Sequence, residues 1–339
     1  MRRKSQYNVA VVGVGAVGVE MLRALRQRQF PVKDLKVLAR SGRDIEVDGV
    51  VYHVEPTAPE AFDGVDIALF AGTEGEKGAA VTYAAEAVKR GALVIDNGAD
   101  FRLEPDVPLV VPEVNPKDAK KAVKARGIIA NPNCSTIQMV VALAPIHRIL
   151  KIKKVVVATY QAASGAGSKA AQELFDQTRG VLDGQPAVPQ ALGQRIAFNF
   201  FPHIGSFGEA DYTSEEWKMV RETQKILHDA RIKISATTVR VPVKTGHGEA
   251  VYIECRRCVD IDAVRRALAE APGIVVVDDV AASRYPMPVD VEGRDEVFVG
   301  RIRKDPMDEK ALWLWVVADN LRKGAATNAV QIAELFVKR

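Results

Sequence analysis

Three features are scarce in this chain of 339 residues, and each scarcity excludes a class of protein. It has only three cysteines, an odd number, which excludes a disulfide framework and favours a reducing, cytoplasmic location. No stretch approaches the ~18 consecutive apolar residues of a transmembrane helix, so we expect no membrane partner. The net charge is only +4, and the basic residues are scattered rather than gathered in a patch. We therefore expect no nucleic-acid partner, whereas small anionic substrates remain compatible.

The composition that is present is typical of a globular protein. Hydrophobic residues make up 47% and charged residues 27%, enough apolar material for a core without disulfides. The length suggests about two domains. The first residues place basic side chains before an apolar run, as a signal peptide does. No small-residue cleavage site follows, and the glycines of the run have another explanation, so no signal peptide is predicted.

Strands alternate with helices over the first part of the chain. A helix follows a glycine-rich turn, and another is predicted from Ala79 to Lys89. Such alternation predicts a parallel sheet covered on both faces by helices. The predicted strands lie at 7–12, 35–39, 65–71 and 91–96, and in RGIIANPN before Cys134.

After about residue 150 the pattern changes to longer, β-branched, alternating strands with helices such as TSEEWKMVRETQKIL between them. This predicts an α+β domain with a mixed, mainly antiparallel sheet. A final amphipathic helix is predicted in LRKGAATNAVQIAELFVK. The strands include KKVVVATYQAAS, ISATTVRVPVKTG, EAVYIECRRCV, GIVVVDD, EVFVGRIRKD and ALWLWVVADN.

The residues GVGAVG follow the first predicted strand and open a helix. Glycines at this spacing permit a tight turn and a close backbone approach, so that helix N–H groups can hold a pyrophosphate. The alternative is a merely glycine-rich turn. The residues predicted to bind the dinucleotide are Gly13, Gly15, Ala16, Val17 and Gly18.

The end of the second strand bears on the choice between NAD and NADP. An acid there would accept from the ribose 2′-OH of NAD. This chain instead has Arg40, Ser41 and Arg43, and its first acid is Asp44. Two cations and a hydroxyl suit a 2′-phosphate, which predicts NADP; the alternative is a solvated basic loop.

Cys134 stands between an Asn-Pro-Asn turn and a predicted helix. A thiol at a helix N-terminus faces the positive end of the helix dipole, which favours the thiolate. A thiolate nucleophile in a nicotinamide-binding protein suggests an aldehyde or acyl-phosphate dehydrogenase. A capping turn with a bystander thiol is the alternative.

Several long segments resemble aspartate-β-semialdehyde dehydrogenases, in order, from about residue 8 to 336. The segment NPNCST distinguishes this family from N-acetyl-γ-glutamyl-phosphate reductases, which share the architecture. The resemblance implies an α/β fold: a Rossmann-type NADP-binding domain at 1–132, a catalytic and dimerisation domain at 133–318, and a terminal helix at 319–339 that joins the first domain. The other matching segments are VIDNGADFRLEPDVPLVVPEVN, YQAASGAG, TTVRVPVKTGHGEAV, VFVGRIRKD and DNLRKGAATNAVQIAE.

The resemblance also implies catalytic roles. Cys134 would be the nucleophile, and the Gln161 amide would orient the acyl-enzyme intermediate. His247, predicted in a loop after a strand, would be the general acid/base, since imidazole titrates near neutrality. Without the resemblance, Gln161 is a polar residue at a strand end and His247 a surface-loop histidine.

Four charged residues fit the implied substrate. Arg102 would bind phosphate, and Arg240 would grip the substrate carboxylate through its planar fork. Glu215 and Lys218 lie three residues apart on one predicted helix face. Glu215 would accept a hydrogen bond from the substrate amine, and Lys218 would lie on the phosphate side of the substrate. The spacing selects Glu215 over its neighbour Glu216. The alternative for the pair is an ordinary surface ion pair.

Further residues are implied on the cofactor side. Asn320 would help to position the nicotinamide, and Ser164 and Gly165 would also contact the cofactor. The chain departs from the family pattern in its first loop, where GVGAVG replaces GATGxVG. It departs again in AGTEGE, where Glu74 and Glu76 lie near the expected path of the cofactor phosphates.

Two other segments are given structural rather than functional interpretations. Cys255 and Cys258 form a CxxC, but within a predicted strand their side chains would point to opposite faces, so no metal site is predicted. The Pro-rich YPMPVD is interpreted as a rigid connection.

The implied reaction interconverts L-4-aspartyl phosphate and NADPH with L-aspartate 4-semialdehyde, phosphate and NADP⁺ through a thioester on Cys134. It belongs to lysine, threonine and methionine biosynthesis and to the diaminopimelate branch. The implied assembly is a homodimer or homotetramer. Alternatives are a related acyl-phosphate reductase and a non-catalytic interaction protein, although the joint presence of Cys134, Gln161, Arg240 and His247 argues against the latter.

Overall fold

Two hydrogen-bonded sheets organise the chain, one in each of two structural units. The computed structural model describes residues 4–72, 78–122 and 127–337. The first unit contains the residues up to Asn133 and those from Ala325 onward, and the second is Cys134–Gly324. The chain thus returns to the first unit at Ala325, later than the expected residue 319. The functional roles of the two units stay predictions.

Among the described residues, α-helices are α1 (Ala16–Gln27), α2 (Ala79–Lys89), α3 (Ala119–Ala122), α4 (Cys134–Leu150), α5 (Ser168–Leu182), α6 (Ser214–Leu227), α7 (Ile261–Ala269), α8 (Pro288–Val291) and α9 (Thr327–Glu334). Strands of the first unit are β1 (Tyr7–Val12), β2 (Val32–Ala39), β3 (Arg43–Val47), β4 (Val50–Pro56), β5 (Ile67–Phe70), β6 (Leu93–Asp96) and β7 (Ile128–Ala130). Strands of the second are β8 (Ile152–Gln161), β9 (Lys233–Arg240), β10 (His247–Cys255), β11 (Ile274–Val276), β12 (Val297–Lys304) and β13 (Ala311–Ala318).

The sheet of the first unit has the order β3-β4-β2-β1-β5-β6-β7, and all neighbours except β3 and β4 pair in parallel. Its central strands are apolar almost throughout because helices cover both faces of a parallel sheet. The buried core includes side chains of β1, α1 and α9, such as Val9, Leu22 and Val330. The predicted Rossmann-type fold is confirmed.

The β3–β4 hairpin adds one antiparallel strand at the edge of the otherwise parallel sheet. Asp48 and Gly49 both have positive φ, 50° and 76°, between the antiparallel strands. An Asp-Gly pair between alternating strands is a strong hairpin signal, because such turns match the twist of the strands. Arg43 therefore begins a strand instead of lying in a loop.

The sheet of the second unit has the order β11-β12-β13-β10-β8-β9. Pairing is antiparallel at its centre and parallel at its two edges, β11–β12 and β8–β9. This confirms the mixed, mainly antiparallel sheet. On β8, Val155, Val157, Thr159 and Gln161 are buried, whereas the alternate residues are more exposed. Helices α4 and α6 pack against the inner face of this sheet.

Two local predictions are wrong. The long terminal helix does not begin at residue 319, because Asp319 Oδ1 accepts from the N–H groups of Leu321 and Arg322 in a turn. A short π-helix over Arg322–Ala326 then leads into α9. In the CxxC, β10 ends at Cys255, so Cys258 lies beyond the strand.

Two kinds of feature are absent from residues 4–72, 78–122 and 127–337. No group of three or more His, Cys, Asp or Glu residues there is arranged to hold a metal ion. None of the helices in this part of the chain has the length and apolar character needed to cross a membrane.

Candidate active site

Cys134 is the first residue of α4, as its position after the Asn-Pro-Asn turn predicts. The helix dipole therefore presents its positive end to the thiol, which favours the thiolate. The Cys134 side chain is partly exposed. Gly324 lies directly against it, since a Cβ at Gly324 would come within 2.9 Å of the Cβ of Cys134. A larger residue at position 324 would therefore displace the side chain of Cys134.

Three predicted residues meet at one end of the second sheet. Gln161 ends β8, Arg240 ends β9, and the two are register partners in a parallel pair. His247 opens β10, which runs antiparallel to β8 and so begins where β8 ends. The predicted loop position of His247 is therefore wrong: Gly246, with φ +94°, makes the turn, and His247 is a fully buried strand residue paired with Ala318.

Arg240 is a buried cation that forms no ion pair with the described residues. Its guanidinium is almost fully buried, and Nη1 donates to the carbonyl oxygen of Ala162. Within the described part of the chain, no carboxylate oxygen lies within 4.0 Å of it. Burial lowers the pKa of Arg240, and the negative charges of Glu215 and Cys134 oppose that shift. A buried, hydrogen-bonding fork with spare donors is suited to bind an anionic ligand.

His247 has one satisfied and one unsatisfied ring nitrogen. The N–H of Ala162 donates to Nδ1 at 3.0 Å, so the proton of the neutral ring lies on Nε2. Nε2 is buried and has no hydrogen-bond partner among the described residues. Burial lowers the pKa of His247 well below its ordinary value, and the charge of Arg240 adds to that effect. The ring is therefore neutral near pH 7, with an N–H free for a ligand.

Gly165 brings the backbone against both of these side chains. A Cβ at Gly165 would lie 3.0 Å from Arg240 Nη1 and 3.1 Å from His247 Cε1. Glycine therefore permits the turn after β8 to pack directly on the cation and the imidazole.

A carboxylate and an amide extend the site toward α6. Gln161 Nε2 donates to Glu215 Oε1 at 3.1 Å, and Thr159 Oγ1 donates to Gln161 Oε1 at 2.9 Å. Lys218 Nζ lies 3.7 Å from Glu215 Oε2 on the same helix face. The neighbouring Glu216 forms a capping box with Thr213 at the start of α6.

Ser164 and Asn320 join the turn before His247. Asn320 Nδ2 donates to Ser164 Oγ at 3.0 Å, and Asn320 Oδ1 accepts from the N–H of Gly246 at 2.9 Å. Both side chains are buried. They lie in the unit that contains His247 and fix the backbone from which it projects.

The glycine-rich turn belongs to the first unit, between β1 and α1. Gly13 has φ +101°, which favours glycine, and its N–H donates to Leu38 at the end of β2. A Cβ at Gly18 would overlap the carbonyl oxygen of Gly13, whereas one at Gly15 would meet open space. The residues of the first turn of α1, Ala16, Val17 and Gly18, have N–H groups without intrahelical partners. The cradle therefore fits a pyrophosphate.

The end of β2 presents basic and hydroxyl groups to solvent. Arg40 and Ser41 follow the strand and are exposed, and Arg43 Nη1 lies 3.4 Å from Ser41 Oγ. Asp44, the nearest acid, is paired with His53. Glu74 and Glu76 of the AGTEGE segment lie outside the described residues.

Arg102 is buried at the carboxyl ends of two strands of the first sheet. Its Nε donates to the carbonyl oxygen of Asn131 at 3.0 Å, and its Nη2 to that of Asn97 at 2.9 Å. The guanidinium therefore joins the turns after β6 and β7, in addition to the predicted contact with phosphate.

Inspection of the sequence missed three residues that touch the predicted set. Gly324 stands in KGAA, where nothing local marks its contact with Cys134. Gln138 Nε2 donates to the carbonyl oxygen of His247 at 3.2 Å. Glu249, two residues after His247, is fully buried on the inner face of β10. A signal for Glu249 existed, because it is the one acid at an inward position of HGEAVYIEC.

Two family models match most of the chain. Residues 8–122 match the semialdehyde dehydrogenase NAD binding domain, and residues 143–323 match the semialdehyde dehydrogenase dimerisation domain. The aspartate-semialdehyde dehydrogenase of Aquifex aeolicus is 52% identical over 340 residues, covering 98% of each chain.

Two solved structures share the fold over the whole length. Aspartate semialdehyde dehydrogenase II from Vibrio cholerae, complexed with ASA, has a TM-score of 0.93 and 46% identity, covering 98% of both chains. The Candida albicans aspartate semialdehyde dehydrogenase with NADP has a TM-score of 0.75 and 25% identity, again covering 98% of both. By fold, full-length sequence identity and domain matches, the chain belongs to the aspartate-semialdehyde dehydrogenase family of oxidoreductases.

Proposed function

We propose that this chain catalyses the reversible reductive dephosphorylation of L-4-aspartyl phosphate to L-aspartate 4-semialdehyde, through a cysteine thioacyl intermediate. The observation that carries the proposal is Arg240, a buried guanidinium with no ion pair among the described residues. It lies at the strand ends that also bear Gln161 and His247. A substrate carboxylate would complete its charge-assisted hydrogen bonds. The pathway would be lysine, threonine and methionine biosynthesis in the cytoplasm.

Each step has a residue that can perform it. The Cys134 thiolate attacks the acyl carbon, and phosphate leaves as the thioester forms. A bound nicotinamide cofactor supplies the hydride in this direction. As the acyl oxygen becomes an alkoxide, the N–H at His247 Nε2 donates to it, and loss of the thiolate then restores the carbonyl. Gln161 orients the acyl group, while Glu215 accepts from the substrate amine.

The proposed cofactor is NADP rather than NAD. The glycine cradle would hold the pyrophosphate, and Arg40 and Ser41, which follow β2, would bind the ribose 2′-phosphate. No acid ends β2, so the usual acceptor for the NAD ribose is lacking at that position. The Candida albicans relative, solved with NADP, supports the same choice. Gly13, Gly15 and Gly18 would hold the diphosphate.

The proposed assembly is a homodimer, or a homotetramer built from it, through the outer face of the second sheet. Tyr160 is 41% exposed there, and its ring centroid lies 5.5 Å from that of Trp315. Beside Trp315 is a cavity of about 220 Å³ lined mainly by the YPMPVD segment. Exposed apolar faces of this kind mark interaction surfaces. The match to a dimerisation domain supports the proposal.

The deciding experiment is NADP⁺ reduction with aspartate semialdehyde and phosphate, in which the absorbance of NADPH reports turnover. Turnover should need both substrates, and arsenate should replace phosphate. Acetaldehyde or glutamate semialdehyde in place of aspartate semialdehyde is the control for substrate choice. No turnover with aspartate semialdehyde, or faster turnover with another semialdehyde, would contradict the proposed substrate.

A further inference from the structure

Glu249 is a fully buried carboxyl group that the proposed reaction does not use. It lies on β10 two residues after His247, so both side chains point to the inner face of the sheet. Neither of its carboxyl oxygens has a hydrogen-bond partner of acceptable geometry in the described part of the chain. No Lys, Arg or His described there forms an ion pair with it.

The surroundings favour the uncharged acid. Burial raises the pKa of Glu249 well above its ordinary value, and the nearby amide of Gln138 opposes that shift only in part. A carboxylate removed from water without a cation is strongly disfavoured, whereas the protonated acid needs only an acceptor for its O–H. The protonated form therefore requires a neighbouring acceptor.

Gln138 supplies such an acceptor. Its side-chain oxygen, Oε1, is buried and has no partner among the described residues, although Nε2 donates to the carbonyl oxygen of His247. Gln138 follows Cys134 by one helical turn, so the two share a face of α4. The amide thus lies between the helix that begins at the nucleophile and the strand that begins at the imidazole.

We propose that Glu249 is a protonated carboxylic acid whose O–H donates to Gln138 Oε1, and that the two side chains act as a positioning pair. The pair fixes the start of α4, with Cys134, relative to the start of β10, with His247. Neither residue touches a reacting atom. This inference rests on the proposed roles of Cys134 and His247, whereas the protonation of Glu249 can be tested without them.

The first test compares two substitutions at position 249. Glu249→Gln is isosteric, remains neutral and keeps an N–H donor for Gln138, so its kcat should stay close to that of wild type. Glu249→Leu removes the donor and leaves Gln138 Oε1 unsatisfied. A small misplacement of the reacting groups lowers rates by up to about 100-fold, so we expect a tenfold or greater loss of kcat with little change in the semialdehyde KM.

The matched control is Glu254→Leu, on the same strand but the opposite face, where the carboxylate pairs with Lys153 at 2.5 Å. This variant should keep its kcat. If Glu249→Leu does not fold, Gln138→Leu removes the other partner and should give the same selective loss of kcat. If the kcat of Glu249→Gln falls as far as that of Glu249→Leu, the proposal is overturned, because an ionised carboxylate would then be required.

The second test observes the proton directly. The infrared difference spectrum between wild type and Glu249→Gln at neutral pH should contain the carbonyl stretch of a protonated carboxylic acid. Carboxylate bands in its place would refute the protonated state. If wild type fails to turn over aspartate semialdehyde, the proposed function is wrong, yet the infrared result still decides the state of Glu249.

Discussion

The glycine-rich turn of the first unit and the strand-end site of the second are built in different ways. The turn is made by six consecutive residues, and the space left by Gly13 and Gly18 defines its shape. The strand-end site collects Cys134, Gln161, Arg240 and His247 from one helix and three strands. The local site depends on backbone geometry, whereas the assembled site depends on buried charges and hydrogen bonds. Substitutions in the two regions should therefore change different measurable properties of the protein.

The largest effect is expected at Cys134, the proposed nucleophile. Cys134→Ser should lower kcat by about three orders of magnitude or more, because a serine hydroxyl is far less ionised than a thiol. Folding and NADPH binding, measured by thermal melting and fluorescence titration, should be unchanged. Cys258→Ser, at an exposed thiol, is the control. Near-normal turnover of Cys134→Ser would exclude a covalent role.

Arg240→Lys tests whether the assembled site needs a planar fork. An ammonium cannot reproduce two parallel hydrogen bonds to a carboxylate, so kcat/KM should fall tenfold or more, about 1.4 kcal/mol. The loss should appear when semialdehyde is varied, while alkylation of Cys134 by a small reagent continues.

Arg102→Lys is the comparison for Arg240→Lys. It should raise the phosphate KM and also lower stability, since Arg102 joins the turns after β6 and β7. If Arg240→Lys changes only the phosphate dependence, the two arginine roles are reversed.

The glycine turn offers a matched pair of small substitutions. Gly18→Ala would force a Cβ onto the carbonyl oxygen of Gly13 and should destabilise the unit by about 1–3 kcal/mol, with weaker cofactor binding. Gly15→Ala adds its Cβ to open space and should leave stability unchanged. Urea unfolding and cofactor titration measure both. Equal stability of the two variants would show that the close approach at Gly18 is unimportant.

Arg40→Asp addresses cofactor choice. Loss of a charge-assisted hydrogen bond is worth about 1.5–3 kcal/mol, so NADPH affinity should fall about tenfold or more, and NADH affinity should fall less. Affinities from fluorescence titration at fixed ionic strength give the ratio. Lys33→Asp, at an exposed position of β2, controls for the change in net charge. An equal loss for both cofactors would place the 2′-phosphate elsewhere.

The smallest effect concerns pH and stability. The folded-state pKa of Glu249 is raised, so its contribution to stability is fully present below the unfolded value near 4.5 and is lost as pH rises. Glu249→Gln lacks this titration. Relative to wild type, it should therefore gain stability as pH increases above about 4.5, measured by urea unfolding at several pH values. A constant difference across that range would mean that Glu249 is not perturbed.

The contribution of His247 to stability depends on pH in the opposite direction. Its folded-state pKa is lowered, so its contribution is present above the unfolded value of about 6.5 and is lost as pH falls below it. His247→Gln should therefore lose less stability than wild type on acidification through that range.

The sequence by itself determined the features that rest on short-range pattern. Period and turn residues predicted β1, the glycine turn and the start of α4 at Cys134, because each follows from neighbouring residues and backbone sterics. The β3–β4 hairpin could also have been predicted from its Asp-Gly turn. Residue-by-residue resemblance supplied Gln161, Arg240 and Glu215, which the local pattern alone leaves as ordinary polar residues.

Only the tertiary structure decided which of these groups are buried, paired or free. His247 became a fully buried strand residue because Gly246 turns the chain and β10 pairs with β13, and neither fact is local. The pKa of Glu249 is raised because helices cover its face of the sheet, and no cation among the described residues forms an ion pair with it. Desolvation depends on all the atoms around a group, so the ionisation state of a buried residue follows from three-dimensional packing, whereas the sequence near it fixes only the side on which it lies.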